Sequence, residues 1–281
     1  MSELPSSTSL VFTQLRYQLR VFWRTPVAAF FTLMLPIIML VLFNALFAEG
    51  TVDTGQGEWP VNQFYTGALA AFAAVSATYT NLANTVPIVR DEGVLKRWRG
   101  TPLPPWAYVA GMVGMAVVVA VIGVVILLAL GVLAYGLELE AAKMPAAVVT
   151  FIVGVAAFAA LGLACAALVP NARSAPAVAN ATILPLAFIS NVFTPLEDPP
   201  RWVEVVGDFF PLKPFVTAFQ DTLHPLTDAP AFSWDKLAWV SVWGIVGAVV
   251  AVKKFRWEPA SDTARGGSRR RRSSRNDAMA G

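Results

Sequence analysis

The stretch AGMVGMAVVVAVIGVVILLALGVLAY, Ala110–Tyr135, decides the fold class. It contains no charged side chain. Each central Leu, Ile, Val or Phe in such a run favours membrane insertion by about 0.3–0.6 kcal/mol. About 20 predominantly apolar residues are enough for a helix to cross a bilayer. The rest of the chain has the same character. Of its 281 residues 56% are hydrophobic, and only 14% are charged, against roughly 25% in soluble domains. A chain of this size cannot hide that much apolar surface from water, so part of its solvent is lipid. It is also too apolar to be disordered. The single cysteine, Cys165, excludes a disulfide framework and a multi-thiolate metal site within the chain. The single histidine, His224, excludes HExxH and similar sites. Cys165, between Ala164 and Ala166, reads as a small packing residue, and His224 as a surface residue of the segment before the last span.

Segments free of Asp, Glu, Lys and Arg recur along the chain and predict six transmembrane helices, over about 26–48, 61–86, 106–135, 146–169, 176–193 and 234–252. Spans four and five are separated only by a short turn, Val169–Pro176, with two prolines and Arg173. The last span is short, with Trp234 and Trp239 as anchors at its outer end. The expected fold is an all-α integral membrane protein in three parts. Residues 1–25 form an N-terminal tail and amphipathic interfacial helix, 26–252 the six-helix transmembrane domain, and 253–281 a basic disordered tail.

Orientation follows from Lys and Arg in the connecting segments. With the N-terminus cytoplasmic, 17 of the 21 basic residues fall inside, and the net charge is +11 inside and −8 outside. The opposite orientation inverts the rule. Both termini are therefore expected to be cytoplasmic. The first apolar stretch has no small-residue cleavage site and is long enough to span, so residues 1–24 are not expected to be a secretory signal.

Before that stretch, Val11, Phe12, Leu15, Leu19, Phe22 and Trp23 recur at helical spacing. Arg16, Arg20 and Arg24 form a basic ridge beside them. This is the pattern of a helix lying in the inner interface, with its apolar face in acyl chains and its arginines near anionic headgroups. An ordinary juxtamembrane helix is the plainer alternative.

The connection after span two reads PIVRDEGVLKRWRGTPLPPW, Pro87–Trp106. Asp91 and Glu92 suit the start of a short helix, and Lys96, Arg97 and Arg99 its end. Val94, Leu95 and Trp98 could form an apolar patch between them, and Gly100-Thr101-Pro102 stops the run. Such a loop suggests a docking surface; the alternative is a solvated loop that obeys the charge rule.

In these residues the chain resembles the ABC-2 family of ATP-binding-cassette transporter permeases. Asp91, Glu92, Gly93, Val94, Leu95, Lys96, Arg97, Arg99, Thr101, Pro102 and Leu103 match that family's signature in order. Trp98 and Gly100 fall between them. The resemblance covers nearly the whole chain and is greatest to the bacterial drug-exporter branch, of the daunorubicin-resistance permease kind. The basic tail is not part of the pattern.

The resemblance implies a permease subunit of an exporter in a bacterial plasma membrane. It would pair with a second copy or a related permease, each bound to a cytoplasmic ABC ATPase that holds ATP and Mg. Residues Asp91–Arg99, with Thr101 and Pro102, would be the coupling element, and the N-terminal helix would connect its motion to span one. The residues agree with a separate ATPase. A P-loop needs Gly directly before its Lys, and none of the six lysines has a glycine before it. No cofactor is expected in this chain, and catalysis is assigned to the partner.

Between spans five and six, Trp202, Val203, Val206, Phe209 and Phe210 repeat near helical period. Pro211 and Pro214 interrupt, and Phe215, Val216, Phe219 and Leu223 resume the repeat. Two short amphipathic helices are expected, at the outer membrane face. The resemblance makes them a roof over the transport path; packing on the bundle exterior is the alternative. Polar residues within spans are few. Thr78, Asn81, Asn84, Asn180 and Asn191 are the candidate lining for an amphipathic substrate, with interhelical hydrogen bonding as the alternative. Ala70, Ala73, Ala74 and Ala77 permit close helix approach.

The tail, with four consecutive arginines from Arg269, suits anionic headgroups, and nucleic acid is not an expected partner. The Arg-, Ala- and Val-rich composition suggests a GC-rich bacterium. An ion-coupled secondary transporter or channel is the competing class. Ion coupling usually uses an ionisable group inside the membrane, and the six predicted spans carry none at membrane depth. A membrane enzyme is the other; no acid pair, metal cluster or Ser-His pair lies at that depth.

Overall fold

The computed structural model describes residues 7–47, 50–53, 57–94, 104–195 and 199–255. Helix α1, Ser7–Trp23, is followed by α2, Pro26–Phe47, whose first residue is a proline suited to a first helical position. Strands β1, Thr51–Asp53, and β2, Glu58–Pro60, pair antiparallel with Val52 opposite Trp59. Helix α3, Val61–Val75, runs through a π-helical turn, Ser76–Thr80, into α4, Asn81–Asp91, without leaving helical backbone angles. Helix α5, Pro105–Tyr135, opens on a proline and closes on Gly136, whose φ of 66° is the left-handed conformation that ends helices. Its 31 residues span about 46 Å, more than a hydrocarbon core of about 30 Å. After a short 3₁₀ turn, Ala141–Lys143, come α6, Met144–Leu168, and α7, Ala175–Phe188. The last three helices are α8, Arg201–Phe209; α9, Leu212–Asp221; and α10, Trp234–Lys254.

Helix α3 is the axis of the bundle: 13 of its 15 residues are buried. Its alanines let α2, α5, α6 and α9 close around it. Helices α2 and α10 are instead mostly exposed, with Val27, Phe31, Ile38, Ile245 and Val252 facing outward. An apolar exterior on a well-packed interior is what a helix bundle solvated by lipid requires. Four described helical stretches are long and apolar enough to cross a membrane: Ala29–Phe47, Trp106–Tyr135, Ala141–Leu168 and Trp234–Lys254.

Several expectations change in detail. The β hairpin is a small addition to an otherwise helical fold. Three-residue strands are too short to give a readable alternation, although Val52 and Trp59 are both buried. Span five, expected over about 176–193, is a helix only over Ala175–Phe188, about 21 Å long. The turn after it has Asn191 at φ 57°, a conformation asparagine tolerates. Asp91 is the last residue of α4, Glu92 caps it, and Gly93 at φ 71° turns the chain away. Val94, at the edge of the described residues, is helical again, so the short helix expected after Asp91 and Glu92 falls mostly outside them.

Helix α1 docks on the bundle through residues that its apolar stripe only partly contains. Its buried residues are Gln14, Gln18 and Phe22, while Leu15 and Leu19 pack partly into the core. Phe12 and Trp23 point outward, as do Arg16 and Arg20, and Val11 is half-buried. Gly111 explains the choice: a Cβ there would come within 2.6 Å of Gln14 Cβ, so the start of α5 lies directly on α1. Gln18 shares a hydrogen bond with Tyr108 of α5. Hydrophobic periodicity could not anticipate that Gln14 would face a glycine and Gln18 a tyrosine.

Candidate functional site

Two ends of the bundle carry the polar chemistry. At the first, α4 ends against the turn between α6 and α7. Arg90 is buried, and its guanidinium donates to the carbonyl oxygens of Val169 at 2.9 Å and Ala166 at 3.4 Å. These carbonyls belong to the C-terminus of α6, where the helix dipole favours a cation. Arg90 Nε also lies 3.4 Å from Asp91 Oδ1. Asp91 Oδ2 accepts the backbone N–H of Ala172 at 2.6 Å. The Asp91 carboxylate is thus held within the chain, whereas Glu92 is exposed and Val94 half-buried. Gly93 has open space around its missing side chain. The remaining candidate coupling residues, Leu95, Lys96, Arg97, Trp98, Arg99, Thr101 and Pro102, lie outside the described residues, as does the tail from residue 256.

The candidate path residues do not form one cluster. Thr78 is fully buried, and its hydroxyl donates back to the Ala74 carbonyl at 2.7 Å. Asn81 accepts from Thr85 at 3.2 Å. The side-chain oxygen of Asn84 is buried with no hydrogen-bond partner among the described residues. Asn180 is exposed on α7. Asn191 is buried in the turn after α7 and shapes backbone there. One contact was invisible in the sequence: Tyr79, inside the π turn, shares a 2.6 Å hydrogen bond with Thr182 of α7. Gly162 of α6 makes room for that turn, since a Cβ there would fall 2.8 Å from the Tyr79 carbonyl oxygen.

The second polar end lies around α9. The amphipathic pair expected there forms as α8 and α9, with Pro211 between them. Helix α9 is buried against α3, α6 and α10 rather than resting on a surface. Trp239 and Trp243 of α10 both donate to the Phe209 carbonyl at 2.9 Å, capping α8. Asp221 accepts from Lys236 and Ser233 at 2.7 Å each. Lys143 is buried, with its ammonium on Glu140 at 2.7 Å and on the His224 carbonyl at 3.0 Å.

His224 itself is 2% exposed, against the reading of it as a surface residue. Its ring lies 4.5 Å from that of Trp59, and its Nδ1 accepts the Leu226 N–H at 3.1 Å. A lone polar residue in a mostly polar segment gave no sign that β2 would cover it.

Burial pushes the His224 pKa below its ordinary value of 6.5; nearby Asp221 opposes this and Lys143 reinforces it. The neutral ring is therefore the folded form at neutral pH. Below about pH 6.5 the unfolded chain takes up a proton that the folded chain resists, so stability falls as pH drops through that range. Between about pH 7 and pH 5 the melting temperature is expected to decline in the wild type. His224→Asn keeps an acceptor for Leu226 and should show a shallower decline; equal slopes would remove His224 as the cause.

Beside this end, a cleft of about 880 Å³ is lined by Phe43, Phe47, Tyr65, Phe193, Thr51 and Thr194 among others. Its size is within the range of small-molecule sites.

An interior axis helix, a lipid-compatible exterior and polar chemistry gathered at the two ends describe a helix bundle that sits in a membrane. The sequence model of the ABC-2 type transporter family matches residues 9–224. The match covers α1 to α9 and well over half of the chain, and the protein belongs to that family. It is thus a multi-pass membrane protein, of a family whose members are transport subunits working with an ATPase. No curated protein matches the chain.

Proposed function

We propose that the chain is the permease subunit of an ABC exporter that moves an amphipathic, drug- or lipid-like substrate outward, driven by ATP hydrolysed in a separate cytoplasmic ATPase. Six spans, with both termini inside, complete this reading. The helical run 61–91 supplies span two, and α7 with the turn after it supplies span five. The Arg90 end is then cytoplasmic and the His224 end external, in a bacterial plasma membrane. The observation that carries the reading is the family match over residues 9–224, joined to the signature that begins at Asp91. Glu92 is exposed at the end of α4, where a partner can reach its carboxylate.

The test is purification of the tagged chain from its native membrane. The eluate is expected to hydrolyse ATP in the presence of Mg. Glu92→Lys reverses a charge on the exposed edge and should strip away most of that activity while leaving the chain inserted. Full activity and unchanged transport would sink the coupling assignment.

Pairing with a second permease is supported by Asn180, an amide exposed on the largely apolar α7. An amide facing hydrocarbon lacks partners that a neighbouring helix can supply. The cleft beside Tyr65 and Phe193 suits the outward release of an amphipathic molecule. Of the path residues, Asn84 has the best case, because its side-chain oxygen has no protein partner among the described residues. Replacing a polar side chain within a span removes about 0.6 kcal/mol of interhelical hydrogen bonding on average, so Asn84→Leu should keep its melting temperature. The concentration dependence of ATPase stimulation across a panel of amphipathic dyes should shift. A drop in melting temperature with an unchanged stimulation profile would make Asn84 structural.

A further inference from the structure

The coupling segment begins at Asp91, the last residue of α4, and the groups that Asp91 and Arg90 hold are not on α4. Arg90 closes the C-terminus of α6 through Ala166 and Val169, and Asp91 holds the N–H of Ala172. The turn they grip is stiff in its own right. Asn171 Oδ1 accepts the Ser174 N–H at 3.0 Å, and the Ser174 hydroxyl donates to the Asn171 carbonyl at 3.1 Å. Helix α7 starts at Ala175, three residues beyond Ala172, with Pro176 in its first turn. Halfway along, Tyr79 and Thr182 join α7 to the π turn of the same helical run that ends in Arg90 and Asp91.

These contacts are also of the kind that transmit force. Two of them are short, charge-assisted hydrogen bonds: Arg90 to the Val169 carbonyl at 2.9 Å and the Ala172 N–H to the Asp91 carboxylate at 2.6 Å. The neighbouring carboxylate offsets the cost of burying the cation, and removing one partner leaves the other uncompensated. On the far side, Gly93 adopts left-handed backbone at φ 71°, and the chain turns away from α4 there.

We propose that Arg90 and Asp91 are positioning residues that carry movement of the coupling segment directly into α7, by gripping the 169–174 turn, so that span five is driven together with span two. This rests on the exporter reading above. Arg90 is the residue to change, because its side chain is buried and its polar contacts among the described residues are to this chain's own turn and Asp91. Its loss separates transmission from docking.

The experiment tracks α7 in the complex of chain and ATPase. Val178→Cys on α7 and Val252→Cys on α10 are both exposed, and in a Cys165→Ala background they accept spin labels. The labelled chain is diluted with unlabelled chain, and the distance distribution is measured without nucleotide and with ATP plus vanadate. The wild-type background is expected to show a nucleotide-dependent shift. Arg90→Met should reduce that shift by about threefold or more, in the range of coupling energies that single residues on a transmission route control. The ATPase should still co-purify. Arg90→Lys keeps the charge but replaces a fork with a single-point donor, and an intermediate shift is expected; it also serves if Arg90→Met fails to fold. A wild-type-sized shift in a folded Arg90 variant that retains its ATPase overturns the proposal. Absence of any ATPase from the wild-type complex overturns the exporter reading and this inference together.

Discussion

Gly154→Ala is expected to lower the melting temperature of the purified protein sharply, although it adds only one methyl group. The Phe215 ring of α9 is planted on the bare backbone of α6 at this point. A Cβ on residue 154 would lie 2.0 Å from Phe215 Cε2 and 2.4 Å from Cδ2. Phe215 is fully buried between Phe158 and Phe219, so the ring has little room to swing away. Overpacking of this kind costs about 1–3 kcal/mol. The displaced helix also carries Gln220, which bonds the Phe64 carbonyl, and leads to His224, whose carbonyl holds Lys143. Phe215→Ala alone should also destabilise, in the range of about 3–5 kcal/mol for a buried Phe. In the double variant the methyl occupies space the ring has left, so its loss should be smaller than the sum of the two. Thermal unfolding of all four forms in one detergent provides the cycle. Strict additivity would mean that the ring and the glycine do not meet as described.

Gly247→Leu should be as damaging, for a related reason. Helix α10 lies on α6 backbone to backbone. A Cβ at Gly247 would meet the Leu161 nitrogen at 2.9 Å and the Ala160 carbonyl carbon at 3.1 Å. One at Gly244 would meet Ala157 at 2.9 Å. Glycines three apart share a helix face, and here that face is the contact. Main-chain atoms cannot rotate aside as a side chain can, so the helices must part. In lipid, little hydrophobic force draws separated helices back, because close packing itself is the attraction. The loss is expected at or above the upper part of the range of about 1–3 kcal/mol for overpacking. Trp239, Trp243 and Lys236 would still tether one end of α10. Val249→Leu, on the exposed side of the same helix, is the control and should stay within about 0.5 kcal/mol of wild type. Yield and melting temperature of monodisperse protein separate the two; equal behaviour would refute the close contact.

Both predictions depend on glycines that no reading of hydropathy singles out. A glycine within an apolar run is silent until its neighbour is known. The same holds for Gly111, whose partner Gln14 sits far back in the first helix of the chain. Arg90 shows the limit most plainly. As a letter in PIVRDEG it is one more basic residue supporting an orientation. In the structure its side chain is buried and closes a helix 76 residues further on. His224 erred in the same direction: a polar residue between spans reads as surface, yet it is buried where α9 folds back into the bundle.

Local composition and spacing were enough for the membrane character and the outline of the helices, and the family came from resemblance. Charge-free runs of about 20 residues demand lipid. The chain order Asp91-Glu92-Gly93, with the basic residues and Thr-Pro after them, pointed to the ABC-2 family, and the family match agrees. Interrupted helical periods forecast α8 and α9 and the proline between them. Tertiary packing settled everything that depends on the group standing opposite: which face of α1 is buried, where α7 stops, that Asp91 holds the Ala172 N–H, and that Phe215 rests on Gly154. The physical reason is that hydrophobicity is non-directional. It tells a residue to leave water, but only packing and hydrogen-bond geometry choose its partner.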